Sequence, residues 1–559
     1  MKKVNLAGLS EALLCVALAA TVGLGVSLSG CRKVSDKENG NSVFSSAASE
    51  DTSQSDSSEM TVSDSSENEN TYVSSAPEIQ ETDADKYVKP APQRNRAQVT
   101  VTQINKSGSK KYIERLGKPY LQYGVQITTG RTENETEEFE EGFYEKAKEI
   151  GFKTVLKTIK WCDVEPQENT YNMYTVSQML RYAEKYDLTL ELLWYGGNVG
   201  SKNTYAPGYV KENTERFPTK SGGVLDFGNK ELIRREKAAL NQVLNYIYDN
   251  DKNRRVSVIQ IENEPASANC WSAQTEEFLN YLDEMGKTVK NSCYRTVTRV
   301  NLAVDTYYLQ EDFTLMSRIL GLSGIDMVGP DVYTRDLEYF IRYIERFSSG
   351  DTEENVMHIA EGPGQLYNYG KIVTTCFANN SGYYTYELKS YGGLNFDFGI
   401  FRNSATEWIK RDGTKKVMYQ WDMITKVAEN VTDDITVFNG MVNSVSEQIA
   451  ACPKNQFKGI FRGKSEKIGA QEIAYDTTDT RVANRIGAVF LADDGYYYMF
   501  TPASDAAFTF KGKSISGSVS AGAFVNGEWK ENFAAGITDG NVLNCKSGTD
   551  YRLSSEQLY

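Results

Sequence analysis

The sequence predicts an α/β protein: a (β/α)8 TIM barrel, followed by an all-β domain and preceded by a disordered tether. Three observations carry this. Strand-like and helix-like segments alternate from about residue 120 to about residue 401. After about residue 430 the alternation stops, and short strands separated by turn residues take over. Before residue 100, a stretch rich in Ser, Asp and Glu lacks the apolar side chains that a core needs. A chain of 559 residues is also too long for one ordinary core. An open doubly wound sheet is the competing arrangement for the same alternation.

The elements follow in chain order. Lys2 and Lys3 precede the apolar run "ALLCVALAATVGLGVSL", which ends in Leu28-Ser29-Gly30-Cys31. A basic start, a short apolar run and small residues at its end read as an export signal and not as a spanning helix. Leu-Ser-Gly-Cys resembles the bacterial lipobox, which implies cleavage before Cys31, lipidation of its thiol and a membrane anchor facing outward from the cell envelope. Residues 1–31 are thus read as signal and 32–100 as linker. The segment 34–85 holds 13 acidic residues and one lysine, so most of the formal charge of −14 belongs to the tether and the body is near neutral. Self-repulsion should keep such a tether extended.

The body, 101–435, opens with strands in "AQVTVTQI" and "KKYIERLGKPYLQYGVQI", the second broken at Gly-Lys-Pro. Eight barrel strands are then expected in "YLQYGVQI", "FKTVLKTIKW", "LTLELLWY", "VSVIQIENEP", "YRTVTRVNLAV", "GIDMVGPDVY", "ENVMHIAEG" and "GGLNFDFGIF". Helical spacing separates most of them, as with Val176, Met179, Leu180 and Ala183 after the second. Residues 436–559 are expected to form a β-sandwich-like domain.

Composition excludes several chemistries. The one histidine, His358, rules out Ser-His-Asp and Cys-His machinery and any multi-histidine metal site, and its place in a strand suits a core histidine. No Gly-rich phosphate loop is present, so no cofactor and no metal is expected, and no basic run points to nucleic acid. Cys162, Cys270, Cys293, Cys376, Cys452 and Cys545 lack metal-like spacing, although Cys270 and Cys293 are a possible disulfide. Acid–base chemistry then falls to carboxylates. Glu264 closes the fourth strand and Glu361 the seventh, at the barrel face where catalytic groups gather. Two carboxylates facing each other across a barrel mouth are what glycoside hydrolysis requires. Gln260, Glu262 and Glu264 alternate, so they are expected to point toward the axis at rising height, with Glu262 in a supporting role. Trp161, Trp194, Tyr195, Tyr205 and Trp271 follow strand ends and could stack on sugar faces, Trp194 foremost.

The motif Asn263-Glu264-Pro265 resembles the Asn-Glu acid/base motif of clan A glycoside hydrolases. "QIENEP" is similar to the corresponding segment of family 35 β-galactosidases, and "WCDVEPQENTYNMYTVSQML" resembles the segment after strand two in families 35 and 42. "LLWYGGN", "YAPGYVKENTERFP" and "GIDMVGPDVYT" resemble further parts of those families. The likeness covers about residues 110–430. It implies Glu264 as general acid/base, Glu361 as nucleophile, Asn263 as donor to the sugar hydroxyl beside the reacting carbon, and Tyr333 as a residue orienting Glu361. It further implies a retaining hydrolysis of terminal β-linked sugars on an oligo- or polysaccharide substrate outside the cell, with the two carboxyl groups about 5 Å apart. An endo-acting β-glycanase is the nearest alternative. From other classes, a glycan-binding surface lipoprotein without catalysis and a solute-binding lipoprotein stay open.

Overall fold

The structure is a computed structural model. It describes residues 90, 95–107, 110–127, 137–199, 205–220, 223–264, 274–303, 314–332, 337–349, 357–363, 369–379, 381–386, 388, 401–409, 415–423, 431–452, 456–479, 486–501, 505–525, 528–535, 537–538, 540–546 and 549–559. The export signal, Cys31 and nearly all of the linker lie outside the described residues, as do Cys270, Trp271 and Tyr333.

Eight parallel strands form the central sheet: β1 (Tyr123–Ile127), β2 (Thr154–Lys160), β3 (Thr189–Val199), β4 (Val256–Asn263), β5 (Val297–Ala303), β6 (Met327–Asp331), β7 (Met357–Pro363) and β8 (Ser381–Tyr386). Each pairs with the next and β8 pairs with β1, so the sheet curls into a closed barrel in simple sequence order. The β6–β7 step is the shortest, a single pair with Asp331 opposite Glu361. Helices follow the strands in turn: α1 (Glu137–Glu149), α2 (Tyr174–Lys185), α3 (Lys230–Asn250), α4 (Thr275–Lys290), α5 (Thr314–Leu320), α6 (Leu337–Ser349), α7 (Tyr369–Ala378) and α8 (Val431–Ser444). In α2 the buried positions include Val176, Met179, Leu180 and Ala183, the stripe that the spacing predicts. The side-chain oxygen of Asn229 caps α3 by accepting from the N–H groups of Glu231 and Leu232 at 2.8 and 3.1 Å.

Two expectations need correction. The eighth strand is Ser381–Tyr386 and not "GGLNFDFGIF". All six residues of "SGYYTY" are buried, so the strand shows neither polar alternation nor an aliphatic run to betray it. Residues 392–400 lie outside the described residues, and Phe401 opens an antiparallel hairpin, Phe401–Ile409 with Lys415–Met423. The expected boundary between 435 and 436 falls inside α8. That helix belongs with the barrel: Asn439 accepts a hydrogen bond from the Tyr123 hydroxyl of β1 and donates to the carbonyl of Ile150 at 2.6 Å.

The barrel interior is layered. At the base, a hairpin of Thr102–Ser107 and Lys110–Arg115 brings Ile113 against Val258, Val297 and Met327, closing that end with apolar surface. Above it, Glu191 of β3 and Arg299 of β5, both fully buried, form an ion pair, and Gln122 donates to the other Glu191 oxygen at 3.2 Å. The Arg299 guanidinium lies 5.9 Å from the centre of the Tyr384 ring. Charges this deep are retained only when each is paired, and here they bridge strands that are not neighbours.

The C-terminal part is all-β. A six-stranded and a five-stranded antiparallel sheet enclose a core that includes Ile473, Tyr475, Phe508, Val519 and Leu553. The outer face of the larger sheet meets the barrel: Phe457 packs on Phe377 of α7, and Lys371 donates to the carbonyl of Gly459 at 2.8 Å.

Candidate active site

Among the described residues, the end of β4 is the one barrel-strand terminus with two non-glycine residues in the left-handed region. Glu262 has φ of 61° and Glu264 φ of 44°, a left-handed backbone that costs a non-glycine residue of order 1 kcal/mol or more and is held only where the surroundings over-determine it. The surroundings are an amide network. Asn301, at the end of β5, accepts from Gln260 Nε2 at 2.7 Å and from the backbone N–H of Glu264 at 2.9 Å. Its Nδ2 donates to Asn263 Oδ1 at 3.0 Å and to Asp331 Oδ2 at 2.7 Å. All four hydrogen-bonding positions of one buried amide are thereby used. Asp331 in turn stands opposite residue 361 in the β6–β7 pairing. The network therefore ties together the strand ends that bear Asn263, Glu264 and Glu361, with the Glu264 side chain half-buried.

Glu262 departs from expectation. Alternation from the inward-facing Gln260 would aim it at the axis, but its left-handed φ turns the side chain outward into the helix layer. There it accepts from the Tyr281 hydroxyl of α4 and from the N–H of Gly196 at 3.3 Å. Glu236 of α3 reaches the same hydroxyl at 2.7 Å and also accepts from the Trp194 indole at 2.8 Å and the N–H of Gly197 at 3.1 Å. A phenol has one proton, so it can serve only one of the two carboxylates at a time. Burial pushes the Glu236 carboxyl up to about 7, against the pull of its Trp194, Tyr281 and Gly197 donors. Burial therefore favours the acid form of Glu236, which would bring a second proton to the cluster. Gly196 is glycine for steric reasons, because a Cβ there would overlap Glu236 and crowd Glu262.

The other expected residues divide. Trp194 and Trp161 are 1% and 0% exposed. Trp194 lies on the outer face of β3, and Trp161 donates its indole N–H to Glu165 at 3.0 Å. A ring that stacks on sugar must show a face to solvent, and neither does, so both are corrected to packing residues in this structure. Glu165 of the "WCDVEP" segment is likewise structural, held by Arg235, by Tyr209 at 2.9 Å and by the N–H of Asn169 at 2.8 Å. Cys293 is a free thiol that donates to Asn245 at 3.3 Å, and its possible partner Cys270 lies outside the described residues. Sequence reading missed Asn301 and Glu236. The first was visible as a polar residue at the end of an apolar strand, whereas nothing in the local pattern marks the second. Among the described residues no group of three His, Cys, Asp or Glu side chains could hold a metal, and no helix is long and apolar enough to cross a membrane.

Residues 278–457, about a third of the chain, match the family model described as a domain of unknown function, DUF4978. No curated protein matches the sequence. Among solved structures, the chain is similar to a family 39 glycoside hydrolase from the gut symbiont Bacteroides cellulosilyticus, at 13% identity over 80% of this chain and 84% of that one, with a TM-score of 0.43. It is similar to an endo-1,4-β-mannanase from Rhizomucor miehei, at 15% identity over 53% and 94%, TM-score 0.40. It is also similar to an exo-β-1,4-mannosidase from an Opitutaceae bacterium, at 13% identity over 63% of each chain, TM-score 0.43. Likenesses this distant decide neither substrate nor mechanism.

Proposed function

We propose that the protein is a retaining glycoside hydrolase acting on β-linked sugars, with Glu264 as acid/base and Glu361 as nucleophile. The observation that supports this most is the amide network at Asn301, which couples the ends of β4, β5 and β6 while Asp331 pairs with residue 361 on β7. In this reading Glu264 protonates the leaving oxygen and Glu361 attacks the anomeric carbon. Water then hydrolyses the glycosyl–enzyme, with Glu264 now acting as base. Glu264 must hold its proton at working pH while Glu361 is ionised, and the negative charge of one carboxylate raises the pKa of the other. Asn263 donates to the hydroxyl beside the reacting carbon, and Tyr333 orients the nucleophile. The Leu-Ser-Gly-Cys31 segment supports a lipid-anchored enzyme of the bacterial envelope, tethered through residues 32–100. Terminal sugars of the β-galactoside type are the first substrates to try, with internal cleavage as the second reading.

The test is a panel of nitrophenyl β-glycosides against the full chain and the variants Glu264→Ala and Glu361→Ala. Each variant should lose hydrolysis by at least about 10³-fold, and azide should restore turnover of Glu361→Ala with inversion at the anomeric carbon. Full activity in either variant would sink the assignment.

A further inference from the structure

The mouth of the barrel carries a cation on the side away from β6 and β7. Along β2, alternation puts Thr154, Leu156, Thr158 and Lys160 on the inner face, and along β3 it puts Glu191, Leu193 and Tyr195 there. The interior cluster of Leu156, Leu193 and Tyr384, with Tyr195 packed against it, fixes that parity. Register sets Lys160 directly beside Tyr195 at the last pair of the two strands. Tyr195 is stacked on Tyr205, with ring centres 4.9 Å apart and planes 10° from parallel. Lys160 Nζ lies 4.9 Å from the centre of the Tyr205 ring.

Lys160 differs from the other cations of the barrel wall in what answers its charge. Lys157 is paired with Glu140 at 2.5 Å, and Arg299 with Glu191. Among the described residues no carboxylate forms an ion pair with Lys160, and its side chain is half-exposed. Lys211, on the short helix Gly208–Lys211, adds a positive charge near Cys162, and Asp163 a negative one. The half-buried Tyr195 ring beside a partly exposed ammonium suits a pyranose bearing an anionic group: the sugar's C–H face lies on Tyr195 while the anion takes a charge-assisted hydrogen bond. Across the ring of strands stands Asp331, a carboxylate that would repel an acidic sugar placed there.

We propose that Lys160 and the half-buried Tyr195, backed by the buried Tyr205, form a subsite for an anionic sugar, so that the substrate is an acidic glycan carrying a uronic acid carboxylate or a sulfate ester. This rests on the glycosidase reading above and narrows its substrate class. Turnover of nitrophenyl β-glucuronide, a 6-sulfated β-galactoside and their neutral counterparts by the full chain tests it, together with Lys160→Met and Lys160→Arg. The expected result is an anionic-to-neutral ratio of kcat/KM that falls about 10- to 100-fold in Lys160→Met and largely recovers in Lys160→Arg. The arm that responds, carboxylate or sulfate, identifies the anion. Equal losses on charged and neutral substrates, or a lowered melting temperature with an unchanged ratio, would overturn the subsite while leaving the glycosidase intact. If the full chain cleaves no glycoside, the glycosidase reading fails. Calorimetric binding of a glucuronic acid disaccharide then decides the subsite: binding removed by Lys160→Met supports it, and no binding overturns it.

Discussion

The backbone N–H of Glu264 is held by the side-chain oxygen of Asn301 at 2.9 Å, so an amide on β5 sets the position of a residue at the end of β4. Asn301→Ala should remove that hold and leave Gln260, Asn263 and Asp331 each short of a partner. The expected cost is about 2–4 kcal/mol of stability, from several buried polar groups left unsatisfied together. Turnover should fall by at least about 10-fold at unchanged substrate, because a strand end displaced by an ångström misplaces the acid. Urea unfolding and kcat on the best glycoside check the two parts. A variant with wild-type turnover would show that Asn301 does not position Glu264.

Glu236 carries a pH dependence whose sign is fixed by its burial. Its carboxyl is raised to about 7 in the folded chain, against about 4.3 when unfolded. Between those values the folded state binds the extra proton, so this group's stabilisation is fully present below about pH 4 and is lost as pH rises toward 7. The slope is at most about 1.4 kcal/mol per pH unit. Glu236→Gln should flatten the stability–pH curve over that window, as followed by thermal melts from pH 4.5 to 8. An unaltered curve would mean that Glu236 is ionised throughout.

Glycine substitutions should separate by location. Gly196→Ala places a methyl group into Glu236 and Glu262, and is expected to cost about 3 kcal/mol or more or to prevent soluble expression. Gly440→Ala, on an exposed position of α8 with nothing within 4 Å, should stabilise by about 0.5–1 kcal/mol. Differential scanning calorimetry of the two variants gives the comparison.

Trp194 and Tyr195 are neighbours on β3 with opposite expected effects. Trp194→Phe removes the indole donor to Glu236 and should cost about 1–3 kcal/mol of stability with KM within about 2-fold of wild type. Tyr195→Ala should raise KM about 5- to 30-fold through loss of a stacking face. The reverse pattern, with KM moved by Trp194 and not by Tyr195, would restore tryptophan as the sugar platform.

These two residues also mark what the sequence reveals and what it hides. Apolar runs of period two and stripes of period 3.6 made seven barrel strands and most of the following helices legible, because burial acts on each segment separately. β8 escapes because "SGYYTY" is buried on both faces and so shows neither polar alternation nor an aliphatic run. Residue type and a strand-end position beside a Gly-Gly-Asn turn point Trp194 into the site. Strand parity puts its ring on the outer face and Tyr195 on the inner one, and that parity requires knowing which neighbours lie inside. Glu262 was misread for a different reason. A single left-handed backbone turn reverses the side chain, and no local pattern in "QIENEP" announces it. Glu236 comes from a helix 26 residues upstream of Glu262, and only the fold brings the two carboxyls to one hydroxyl.

The tie between Tyr123 and Asn439 spans 316 residues. It joins the first barrel strand to a helix made only after the eighth, so this tie cannot form until nearly four-fifths of the chain has been translated. The order in which the barrel is locked is then a property of where α8 falls in the sequence, and moving that helix to the amino-terminal side of β1 by circular permutation would let the tie form as soon as the first strand is made.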